Sequence, residues 1–116
     1  MLPEKKQHEF LNKLEDEKIY HKFISQLNKD FALANIDVHF SNTLRSAELV
    51  KNLNLEIANL LQNNYDSYLA LIYRIDISEN KLKYLQTDNF EELTMEITHL
   101  IIERELLKIW LKSKFQ

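Results

Sequence analysis

Apolar positions recur along most of the chain at the three- and four-residue spacing of helices, and each such stretch buries one face if it folds as one. The clearest runs from Glu17 to Asn35. Ile19, Tyr20, Phe23, Ile24, Leu27, Phe31 and Ala34 fall on one side, and Lys18, His21, Lys22, Ser25, Asn28 and Lys29 on the other. Before it, Phe10, Leu11 and Leu14 make a narrower stripe that is out of phase with this one. At about 100° per residue a single straight helix could not bury both stripes against one neighbour, so a break is expected between Glu15 and Glu17. Residues 1–15 are therefore read as a peripheral N-terminal helix, with Pro3 in its first turn.

The third stripe, Leu49, Val50, Leu53, Ile57, Leu60 and Leu61, calls for a helix capped by Thr43 or Ser46 and ended by the pair Asn63-Asn64. Tyr65, Tyr68, Leu69, Ile72 and Tyr73 follow on one face, with Leu71 and Ile75 on the other. Apolar residues on several sides predict a central helix. Ser78 can cap a short helix bearing Leu82 and Leu85. Asp88 and Glu91 form a D-x-x-E capping box that opens the last and longest helix. Two short runs, Ile36 to Phe40 and Tyr73 to Ile77, alternate apolar and polar and could pair as a minimal two-stranded ribbon. The alternative is an extended loop for the first and a helix end for the second. The expected fold is all-α: one domain over residues 1–116, a compact antiparallel bundle of four to five helices.

Composition changes the picture in three ways. There is no glycine and only one proline, so asparagine at 35, 63, 64 and 80 is expected to punctuate helix ends. There is no cysteine, which excludes disulfides, thiolate metal sites and cysteine nucleophiles. The formal net charge is −3 with few arginines, which argues against broad attraction to nucleic acid or to an anionic membrane surface. The longest apolar run, Leu69 to Tyr73, is far short of a membrane span, and charges occupy the place of a secretory h-region. The expected location is the cytoplasm.

Candidate chemistry is sparse. Glu96 and His99 have the Glu-x-x-His spacing of di-iron helices, but the chain holds no second copy, and on the last helix Glu92, Glu96, His99 and Glu103 point away from the stripe of Phe90, Leu93, Ile97, Leu100, Leu107, Leu111 and Phe115. A solvated acidic face is expected there, with no metal or cofactor. Without glycine there is no nucleophile elbow and no phosphate-cradling loop, and no catalytic residue is assigned. A helix-turn-helix built around Asp76 to Ser78 would set Glu79 where phosphates approach, so nucleic-acid binding is not expected either.

Two features of the last helix break the pattern. Arg104 lies within its main stripe and should be buried against a carboxylate such as Asp76 or Asp66, in which case its removal would cost roughly 3–5 kcal/mol. A second stripe, Met95, Ile102, Leu106 and Ile109 with Trp110 beside it, needs a cover: the N-terminal helix or, in a homodimer, another copy. The functional expectation is a helical protein interaction or self-association module, not an enzyme. The alternative is a bundle that binds a small anionic ligand in a polar pocket of Tyr65, Tyr68, Tyr73, Arg74, Asp76 and Arg104.

Overall fold

The computed structural model describes residues 14–85 and 87–114, and helix makes up 78% of them. Five helices follow one another among the described residues: α1 (Glu17–Leu33), α2 (Ser46–Asn63), α3 (Tyr65–Ile75), α4 (Glu79–Lys83) and α5 (Phe90–Lys114). Most of the expected N-terminal helix, including Phe10 and Leu11, lies outside the described residues, as does Phe115.

The break before α1 falls at Asp16, which is extended and whose carboxylate accepts from the backbone amides of Lys18 and Ile19 at 3.0 and 3.2 Å. With Glu17 in the first turn, this satisfies two of the amides that a helix start leaves unbonded and places negative charge at the positive end of the dipole. Both reversals that need a left-handed residue are made without glycine. Asn35 (φ 60°) ends α1 with the Ile36 amide on Phe31 O and its own amide on Ala32 O, the paired bonds of a Schellman motif. Asp76 (φ 71°) ends α3 with its amide and that of Ile77 both on Ile72 O.

Asparagine 64 serves two helices: its amide closes α2 onto Leu60 O, and its side chain caps α3 through the Ser67 amide. Three expected signals are displaced. Asn80 lies inside α4, which is capped by Ser78. Arg45 precedes α2 with no side-chain cap, while the Thr43 hydroxyl is engaged by Ser41. At α5 the capping box is one residue late: Asn89 accepts from the Glu92 amide, and Glu92 accepts from the Thr87 hydroxyl.

The ribbon is absent, for no strand occurs among the described residues. Tyr73 to Ile75 is the last turn of α3. Ile36 to Phe40 is an irregular single segment, with the Val38 amide turned back onto Ile36 O, and the Asn28 side chain of α1 takes both backbone groups of Phe40, at 2.8 and 3.0 Å, that a neighbouring strand would have used. The Phe40 ring meets Phe31 edge-on at 5.2 Å. Its alternation records a loop lying along a helix.

Helix α5 packs against α1, α2 and α3, and α3 in turn packs against α1, α2 and α5, although Tyr65, Leu69 and Tyr73 of α3 face outwards. Phe23, Leu27, Phe31, Leu49, Leu53, Ile57, Leu71, Ile75, Ile101 and Ile102 fill the middle. The buried arc of α5 is not the stripe of Phe90 and Leu107, both of which are exposed. It runs between that stripe and the second one, through Thr94, Ile97, Thr98, Ile101, Ile102 and Glu105. This places polar groups at the centre of the molecule.

Candidate functional site

The first consequence is a buried charged cluster between α1 and α5. Asp30 sits among Leu27, Phe31 and Ala34 on the inward face of α1, with Gln26 one turn earlier. Opposite them Glu105 follows Ile101 by one turn and is 0% exposed. Lys108 reaches in from the next turn of α5. Its ammonium is 2.8 Å from Asp30 Oδ2, 3.0 Å from Glu105 Oε1 and 3.5 Å from the carbonyl of Arg74 at the end of α3. The Gln26 amide donates to both Asp30 oxygens at 3.3 Å, and its oxygen accepts from Lys112.

Two acids thus share one ammonium in a water-poor setting, and their titrations are driven apart. Burial, reinforced by the neighbouring Asp30 carboxylate, pushes Glu105 up to about 8, with Lys108 only partly opposing. Burial alone would raise Asp30 as well. The neighbouring Glu105 carboxyl, with Lys108 and Gln26, overrides burial and holds Asp30 below its ordinary value. Of the two acids, Glu105 is therefore the one that favours keeping its proton and Asp30 the one that favours carrying the charge. Glu105 is fully enclosed, out of contact with solvent.

A second polar group lies further along α5. The Thr98 hydroxyl donates to Thr94 O at 2.7 Å and lies 3.2 Å from Asn54 Oδ1 of α2. His99, expected on a solvated face, is buried, and burial lowers its pKa while Glu96 opposes the shift. Among the described residues no group of three or more His, Asp or Glu is placed to hold a metal ion.

The second consequence is on the surface. Because the buried arc of α5 passes between its two apolar stripes, the flanks of both are left at the boundary with α1. There Leu106, Leu107, Ile109 and Trp110, together with Ile19 of α1, line an open apolar groove of about 610 Å³. Lys18 and Lys22 form its α1 rim, and Glu103 lies on the α5 side, 3.6 Å from Lys81. Trp110 is 54% exposed and Leu107 43%. The Lys114 ammonium lies 5.4 Å from the centre of the Trp110 ring. An adjoining depression of about 460 Å³ shares Lys22, Ile109 and Ser113, and adds His21, Lys29 and Lys112.

The residues singled out from sequence separate accordingly. Of the second stripe, Ile102 and Leu106 are buried in the chain's own core, Met95 and Ile109 are half-buried, and Trp110 is exposed. Tyr65 and Tyr68 stack at 5.6 Å, with Tyr68 buried, but Tyr73 is 82% exposed and Arg74 is exposed too, so the tyrosines do not converge with the arginines on one pocket. Arg104 and Asp76 do meet, at 3.0 Å, beside a depression of about 320 Å³. Arg104 is mostly buried, its side chain 27% exposed, whereas the Asp76 side chain is 78% exposed, so the pair straddles the surface and is not wholly enclosed. Arg104→Ala should accordingly cost no more than about 1 kcal/mol in chemical denaturation. A loss of several kcal/mol would mean that the guanidinium supports the core. Gln26, Asp30, Glu105, Lys108 and the groove residues Ile19, Lys18 and Lys22 were not anticipated as a site.

No helix among the described residues is long and apolar enough to cross a membrane. Compared with known protein families, curated proteins and solved structures, the chain matches none.

Proposed function

We propose that the chain is a protein–protein interaction module, an antiparallel helical bundle of the cytoplasm that docks a partner helix in the groove between α1 and α5. The observation that carries this reading is the groove itself. Leu107 and Trp110 expose apolar side chains three residues apart, over a floor that includes the edge of buried Leu106 and Ile19 of the neighbouring helix, which is how a two-helix surface receives a third. An exposed tryptophan next to aliphatic side chains is also the residue type that dominates binding energy at interfaces.

The same stripe meeting itself across a two-fold axis is less favoured, because it would set Lys18 and Lys22 of one copy close to those of the other. The small-ligand reading is weaker still, since the tyrosines are dispersed.

Trp110 is the only tryptophan in the chain, so its emission reports directly on the groove. Selection from a display library of amphipathic helical peptides should yield binders that shift this emission to the blue. Leu107→Asp, at an exposed position, should weaken them by about 2 kcal/mol or more, the scale of an interface hot spot, with little change in melting temperature. Binders that ignore Leu107→Asp, or a library that yields none, would overturn the reading.

A further inference from the structure

We infer that the partner segment is an acidic amphipathic helix of about three turns, its apolar side on Trp110 and Leu107 and its carboxylates on the lysines of α1 and α5. This rests on the docking reading above and names the chemistry of the partner. Length comes from the groove, which follows α5 from Glu103 to Ser113, about 15 Å at the helical rise of about 1.5 Å per residue.

Charge comes from its borders. The chain as a whole is acidic, with a net charge of −3, yet the groove and the depression that continues it are bordered by Lys18, Lys22, Lys29 and Lys112, and Lys114 lies against Trp110. The one carboxylate on these walls, Glu103, already faces Lys81. Lys18 and Lys22 stand one helical turn apart on the α1 rim, and both are exposed. An acidic helix lying along the apolar floor can therefore place carboxylates beside both lysines, whereas a basic helix would be repelled along the α1 rim.

The test titrates the full chain with two synthetic peptides of the same apolar face and helix length, one flanked by glutamate and the other by lysine, following Trp110 emission. The acidic peptide should bind at least about ten-fold more tightly. Its affinity should fall with added salt, and Lys18→Glu/Lys22→Glu should cancel or invert the preference. Equal binding of the two peptides would overturn the inference and leave the docking reading standing; binding of neither would overturn both. If Trp110 already emits as a buried residue in dilute protein alone, the occupant is the chain's own residues 1–13. If it does so only as light scattering shows dimers forming, the occupant is a second copy. Either result overturns the inference.

Discussion

Lys108→Met should remove about 3–5 kcal/mol of stability at neutral pH, the largest loss expected of any single change outside the apolar core. The ammonium is the cation that Asp30 and Glu105 share. Without it the Asp30 carboxylate keeps only the long bonds from Gln26, and an uncompensated charge stays buried. The loss should come from the stranded charge more than from the missing side chain, because methionine fills much of the lysine stem's volume. Asp30→Asn on the Lys108→Met background should then recover a substantial part of it, so a double-mutant cycle in urea gives a strong coupling between the two sites. Additive effects, or a Lys108→Met loss below about 1 kcal/mol, would show that water reaches the cluster and solvates Asp30.

The second large effect is on the pH dependence of stability. Glu105 has a folded value near 8, above that of an unfolded glutamate, so the folded chain holds a proton that the unfolded chain has released. Its contribution is complete below the ordinary glutamate value and is lost as pH rises through about 8. Asp30 acts in the opposite sense: its folded value is depressed, and its contribution disappears only as pH falls below the ordinary aspartate range. His99 is also depressed, so it costs stability only below the ordinary histidine value near 6.5.

Between pH ~6.5 and ~8 Glu105 is therefore the group that dominates, and stability should fall by about 1.5 kcal/mol across that window. Glu105→Gln, which keeps the size and a donor but cannot ionise, should flatten the slope; His99→Gln should leave it unchanged. Urea midpoints measured across the window in the three proteins decide the matter. A wild-type curve already flat there would mean that Glu105 is ionised in the folded chain.

The helices were legible in the sequence because the first two long segments each have one dominant apolar face, and because Asn35, Asn64 and Ser78 mark ends and starts that the structure also uses. What misled was the last helix. Its apolar residues lie nearly all the way round, so pattern alone put its inward face at Leu100 and Leu107, whereas the structure puts it at Thr98, Ile101 and Glu105. Periodicity counts a threonine or a glutamate as an outward residue. It has no means of knowing that Lys108 and Asp30 will compensate the glutamate.

One signal was available. On α1, Asp30 interrupts the run from Leu27 to Phe31 and Ala34, and on α5 Glu105 stands one turn beyond Ile101. Two acids on apolar faces of two different helices, with a lysine three residues after the second, point to a shared cation. Of the two readings open for the alternating runs, the loop and helix end holds and the ribbon does not. Alternation in Ile36 to Phe40 arises wherever an extended chain lies on a core, and only Asn28, twelve residues from Phe40, decides that its partner is a side chain.

The rotation of α5 about its own axis is a question of identity as well as of energy. A helix with apolar residues on nearly every side could turn by a fraction of a turn and bury a comparable area of leucine and isoleucine, so oil-like contacts alone would leave several nearly equal settings. The observed setting brings Glu105 and Lys108 to Asp30; a setting that carried Lys108 away would leave the buried Asp30 carboxylate without its cation. The cluster thus acts as a keyway. It tells the longest helix which way to face, and through that choice it decides that Trp110 and Leu107 end up on the outside of the molecule, next to Ile19 and the lysines of α1, instead of inside it.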